Sequence, residues 1–108
     1  MARSPANLDV FHAIADHKRR QMLDDLMEGE RSVGEIAQAV GLSYSATSQH
    51  LNVLLDTGLV ARRTAGKQRI YRIESRELQP VFDWVSRYER LWRDGLNRLH
   101  DHIRENPE

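Results

Sequence analysis

The sequence of 108 residues contains no cysteine, which excludes disulfides, thiolate metal sites and a thiol nucleophile. Aromatic residues are few, at 6%, so where they gather is informative. No apolar run approaches the about 20 residues that a membrane-spanning helix needs. The opening MARSPANLDVF has too little hydrophobic length for a secretory signal, so a cytoplasmic location is expected. There is no glycine-rich phosphate loop and no set of serine, histidine and acidic residues at a spacing that suggests a site, which argues against an enzyme. Internal repeats and low-complexity tracts are also missing. With 40% hydrophobic and 30% charged residues, the length suits one compact core, and residues 1–108 read as a single domain.

Net charge is absent too, 16 basic residues balancing 16 acidic ones, but the balance is not local. Over residues 57–76, six cations (Arg62, Arg63, Lys67, Arg69, Arg72 and Arg76) face the single anion Glu74. A neutral chain with its positive charge gathered on one segment has the electrostatic footprint that nucleic acid requires.

That segment belongs to a longer device, residues 41–74. Gly41 can adopt the left-handed conformation that ends a helix, and Ser43 is a good N-cap for the next one. In the helix that begins at Tyr44, residues Thr47, Leu51 and Leu54 share one face and form its inward side. The opposite stripe, Tyr44, Ser45, Ser48, Gln49 and Asn52, carries neither a bulky aliphatic side chain nor a carboxylate. Hydroxyls and amides can hydrogen-bond base edges and phosphates without repelling them, so this reads as a recognition helix. Gly58 ends it, and residues 59–64 and 68–73 read as two strands of a basic hairpin turning through Ala65, Gly66 and Lys67.

The remaining segments read as scaffold. Leu8, Phe11, Ile14 and Ala15 form a first helical stripe. Asp16 caps a second helix reaching about Glu28, with Met22, Leu23, Leu26 and Met27 as its buried face. Lys18, Arg19 and Arg20 in its first turn read as a solvated face, or else as a phosphate contact. Ser32 to Glu35 is a capping box opening a short third helix with Val33, Ile36, Ala37 and Val40 inward. Two short helices joined by a Gly-Leu-Ser turn make a helix-turn-helix. After the hairpin, Pro80 opens a long helix running to about Arg104, with Val81, Trp84, Val85, Tyr88, Leu91, Trp92, Leu96, Leu99 and Ile103 at near-heptad spacing. Both tryptophans and one tyrosine concentrate here, which favours packing on a copy of itself over packing within its own domain.

This order of elements, with AIADHKRRQMLDDLMEGERSVGEIAQAVGLSYSATSQHLNVLLDTGLVARRTAGKQRIYRI, resembles the ArsR/SmtB-type winged-helix repressors. The resemblance covers most of the chain, and the Ser-Gln-His-Leu core followed by Thr-Gly-Leu-Val is its most specific part. It implies a mainly α fold of about five helices with a two-stranded wing, working as a homodimer on a palindromic operator in double-stranded DNA, from which a small-molecule or protein inducer releases it. The expected DNA-binding residues are Ser43, Tyr44, Ser45, Ser48, Gln49, Asn52, Arg62, Arg63, Lys67, Arg69 and Arg72. Those expected at the dimer interface are Leu8, Phe11, Val81, Trp84, Val85, Tyr88, Leu91, Trp92 and Leu99. Many relatives hold a metal through a Cys-x-Cys where this chain has Ser32 and Gly34, and others through Asp and His in the last helix, where Asp83 is here followed by Val85 and the later positions fall near Leu96 and Leu99. The resemblance is to the family's metal-independent subgroup, with no cofactor.

His100 and His102, two apart on a helix, point in different directions and make a poor shared site. His50, beside the recognition stripe, reads as a hydrogen bond holding the helix rather than as a base contact. Phe11, Trp84 and Trp92 suit either a groove for an organic ligand or an ordinary dimer core. The rival to a DNA-binding repressor is a winged-helix module that binds protein, and the basic wing argues against it.

Overall fold

Each of the first four helices begins at a side-chain cap that the sequence supplies. A computed structural model describes residues 9–105. In it Asp9, Asp16, Ser32 and Ser43 each accept a hydrogen bond from the amide three residues on. They open α1 (Val10–Ile14), α2 (His17–Leu26), α3 (Val33–Val40) and α4 (Tyr44–Asp56), and such a cap contributes about 1 kcal/mol. At Ser32 the box is reciprocal: the Glu35 amide donates to the serine hydroxyl and the Ser32 amide donates to the Glu35 carboxylate at 2.8 Å.

The core lies where α2, α3, α4 and the sheet meet. Met22, Leu26, Ile36, Leu51, Leu54 and Leu59 are fully buried there, each side chain contributing about 1.5–3 kcal/mol by leaving water, and Tyr71 is buried with them. β2 (Val60–Ala65) and β3 (Gln68–Ile73) form the hairpin, with Ala65 opposite Gln68, so the turn is the two residues Gly66 and Lys67. Gly66 has φ +62° and Lys67 is not positive, the pattern of a type II′ turn with glycine first.

Several features differ from the expectation drawn from sequence. The sheet has three strands, because β1 (Arg31–Ser32) pairs with the outer side of β3, Arg31 opposite Tyr71 and Ser32 opposite Ile70. A two-residue strand has no periodicity to read. α2 stops at Leu26, and Met27, expected in the core, is 71% exposed. Leu8 lies outside the described residues. The buried residues of α1 are Val10 and Ala13, and of the expected stripe Ile14 packs partly on the core while Phe11 and Ala15 are exposed, since in a helix of five residues a shift of one position selects a different stripe.

The expected long last helix is broken in two. A 3-10 turn (Ser75–Leu78) leads into α5 (Gln79–Ser86), with Pro80 in its first turn, and α6 (Glu89–Glu105) follows. At the break the Arg87 and Tyr88 amides donate to the Trp84 and Val85 carbonyls, three residues back instead of four. Neither proline nor glycine marks the place. No residue of α5 or α6 is buried, although Val81 packs partly on the core. The helices extend from the body, giving a radius of gyration of 18.4 Å against about 13 Å for a compact chain of this size.

Candidate nucleic-acid interface

The helix-turn-helix is built by three local devices. The Ser32 box starts α3, Gly41 at φ +73° turns the chain out of it, and the Ser43 hydroxyl accepts from the Ala46 amide at 3.0 Å to start α4. A fourth device comes from elsewhere in the chain: the Lys18 ammonium donates to the Val40 carbonyl at 2.6 Å. A cation at a helix C-terminus satisfies an orphan acceptor and complements the dipole.

Lys18 is one of three cations whose role differs from both readings offered by the sequence. Arg19 donates from Nε to the Ala13 carbonyl at 2.7 Å and from Nη2 to the His12 carbonyl at 3.2 Å. Arg20 donates to the Ile14 carbonyl at 2.8 Å. The run neither merely solvates a face nor stands free for phosphate. It caps α1 and α3 from the first turn of α2, where Asp16 offsets the unfavourable dipole. Burial raises the Asp16 carboxyl, but the Arg19 amide, the Arg19 charge and the Lys18 amide outweigh that and leave it below its ordinary value.

On α4 the inward residues Thr47, Leu51 and Leu54 are buried. Ser43, Tyr44, Ser45, Gln49 and Asn52 are exposed and Ser48 is half-buried. The Ser43 hydroxyl is already occupied as a cap, so in that stripe it has the least left to offer a ligand. His50 leaves the stripe: its Nδ1 stands 3.1 Å from Arg19 Nη1. A hydrogen bond holding the helix is thus its observed contact.

On the wing, strand alternation sorts the cations. The pairs Val60 with Ile73, Arg62 with Tyr71 and Thr64 with Arg69 share one face, while Ala61 with Arg72 and Arg63 with Ile70 lie on the other. The second face meets carboxylates. Arg63 forks onto Glu30 at 2.7 and 3.2 Å, and Arg72 stands 3.3 Å from Glu74. The Arg63 bond, above all, holds the Glu30 carboxyl below its ordinary range and raises the guanidinium in turn. Arg62, Lys67 and Arg69 are exposed and form no ion pair among the described residues. Glu30 was missed by sequence reading, because its partner is 33 residues away and only the fold joins them.

Leu8 apart, which lies outside the described residues, the residues expected at a dimer interface are exposed or half-buried. Phe11 of α1 meets Trp84 of α5 edge-on at 6.0 Å, and Trp84 meets Tyr88 at 5.5 Å. Val81 and Val85 are half-buried beside them. On α6, Leu91, Trp92, Leu96, Leu99 and Ile103 are 55–66% exposed. Among the described residues no three His, Cys, Asp or Glu side chains gather as a metal site, and no helix is long and apolar enough to cross a membrane.

Residues 16–62 match the model of the bacterial regulatory protein arsR family. The chain is 40% identical over 99 residues to the HTH-type transcriptional regulator Rv2034 of Mycobacterium tuberculosis, spanning 92% of this chain and 91% of that one. It is 32% identical over 77 residues to the transcriptional repressor SdpR of Bacillus subtilis, spanning 71% of this chain and 86% of that one. Among solved structures it is similar to the homodimeric winged helix-turn-helix DNA-binding domain Mb0332 of Mycobacterium bovis, with a TM-score of 0.61 and 38% identity over 71% of each chain. Capped helix-turn-helix, two-stranded basic wing and relatives together place this chain in the ArsR family of winged-helix, DNA-binding transcriptional regulators.

Proposed function

We propose that the protein is a homodimeric repressor, a single domain over residues 1–108, acting in the cytoplasm on a palindromic operator until a small-molecule or protein inducer releases it. The observation that carries this reading is the surface formed by α4 and the wing. An exposed stripe of hydroxyls and amides without a carboxylate stands beside a hairpin whose Arg62, Lys67 and Arg69 are unpaired among the described residues. Tyr44, Ser45, Ser48, Gln49 and Asn52 enter the major groove and read base edges, with Ser43 at the phosphate margin. Arg62, Lys67 and Arg69 meet phosphates, and Arg63 and Arg72 contribute in competition with Glu30 and Glu74.

The second copy is argued from α5 and α6. A helix of 17 residues with no buried side chain and a continuous apolar stripe is not stabilised by its own protomer, because tertiary burial supplies most helix stability in proteins. Phe11, Val81, Trp84, Val85, Tyr88, Leu91, Trp92 and Leu99 pack against their copies, and Leu8 is assigned to the same interface. A twofold pair then presents two α4 helices to half-sites about one helical turn of DNA apart.

The test is selection of bound duplexes from a random DNA pool, followed by a reporter driven by the recovered site. A palindromic consensus, and reporter output that rises when the protein is deleted, are expected. Retention of random duplex without any consensus, or output that falls on deletion, refutes specific repression.

A further inference from the structure

His50 follows Gln49 directly on α4, yet its ring faces the body of the molecule and meets Arg19. A guanidinium has donors only, so Nδ1 is the acceptor and the ring proton of the neutral imidazole sits on Nε2. Arg19 is itself held at two other points, the Ala13 carbonyl through Nε and the His12 carbonyl through Nη2. One side chain therefore ties the outer part of α4 to the C-terminus of α1, the helix whose Phe11 packs on Trp84 of α5.

We propose that neutral His50 is a positioning residue for the recognition helix. Its Nδ1 accepts from Arg19 and fixes α4 against α1 and α2, and a proton added to that nitrogen undoes the link and lowers affinity for specific DNA. The proposal rests on α4 being the recognition helix.

Protonation has two local effects of the same sign. It removes the acceptor that Arg19 uses, and it places a second cation about 3 Å from the guanidinium, a like-charge contact that disfavours that geometry. The surrounding charges do not restore the link. From the start of α2, Asp16 attracts a charged His50, but its Oδ1 is held by the Arg19 amide at 3.1 Å and it cannot give the ring back the acceptor that Arg19 Nη1 loses. Lys18 and Arg20 are committed to the Val40 and Ile14 carbonyls. α3 carries one charged residue, Glu35, held at Ser32, and β2 carries Arg62 and Arg63, the latter forked on Glu30.

The sign of the effect separates this from general electrostatics. Acidification adds positive charge at five histidines, which by itself strengthens binding to a polyanion. A positioning role for neutral His50 predicts the reverse.

The experiment measures affinity for the tightest duplex from the random-pool selection, at constant ionic strength, between about pH 8 and about pH 5.5, the span over which histidine changes charge. Wild type should lose about tenfold as the pH falls, the scale of one hydrogen bond to a charged group. His50→Asn places a non-titrating Oδ1 near the site of Nδ1 and should bind as wild type at the upper pH without the acid loss. His50→Leu should be weak at every pH, with its salt slope unchanged. Nitrogen NMR of the free wild-type protein should show His50 protonated at Nε2 and bare at Nδ1, a readout that does not depend on any variant folding. Affinity that rises or holds on acidification, or falls equally in His50→Asn, overturns the proposal. If wild type at the upper pH does not prefer the selected duplex over random DNA, it is the reading of α4 that has failed, and the proposal with it.

Discussion

The proposed interface assigns different roles to its two residue types, and substitutions should separate them. An amide can pair with two atoms of adenine in the major groove, so Gln49→Ala should cost about 1–3 kcal/mol of discrimination, seen as relaxed preference at particular bases in a selection experiment. If Arg62, Lys67 and Arg69 each meet a phosphate as proposed, each contact releases counterions, so each alanine variant should weaken binding to all sequences alike and lower the slope of log affinity against log salt by about 1. Arg63→Ala should change that slope less, because its guanidinium is already forked on Glu30. Salt titrations of the four wing variants decide this, and an Arg63 effect equal to that of Arg62 would mean that DNA displaces Glu30.

The elements depend on their caps and turns, which a stability measurement can reach. Gly41 at φ +73° has open space where a methyl group would sit, so Gly41→Ala meets no clash and only the left-handed backbone cost, about 1–2 kcal/mol of lost stability in denaturant melts. Ser32→Ala should cost about 1 kcal/mol by opening the capping box. The Ser32 amide, above all, holds the Glu35 carboxyl below its ordinary value, and Asp16 is lowered as well. A lowered carboxylate stabilises the fold fully above its unfolded value, near about 4, and that contribution is lost as pH falls through the folded value. Stability should therefore drop on the acid side, and Glu35→Gln, which removes the titrating carboxylate from the box, should flatten that drop. An unchanged acid limb in the variant would show that the box is not the source.

At the scale of the whole molecule the exposed stripe of α6 makes a prediction that a core residue could not. Leu99 is 55% exposed and α6 buries nothing in its own protomer, so Leu99→Glu should abolish the dimer while leaving the protomer's unfolding midpoint, measured at low concentration, within about 0.5 kcal/mol of wild type. Sedimentation should show monomers at concentrations where the unaltered chain is dimeric. A variant that remains dimeric would move the interface to α1 and α5, around Phe11 and Trp84.

What could be read from the residues alone was whatever is local. The caps Asp16, Ser32 and Ser43, the turn at Gly41, the buried faces of α3 and α4 and the span of β3 each depend on residues within one or two turns, and each stands where the sequence placed it. The polar stripe of α4 and the charge of the hairpin were legible for the same reason. Contacts between distant residues were not. Arg19 with His50, Arg63 with Glu30, Lys18 with Val40 and the pairing of Arg31 and Ser32 with β3 join residues 22 to 40 positions apart, and no spacing rule reaches so far. Only the tertiary structure decided which of the described cations stay unpaired and which are consumed as caps and ion pairs, because a side chain's availability depends on the neighbours folding brings to it, and the sequence alone determined only that the cations, the stripe and the turns were there.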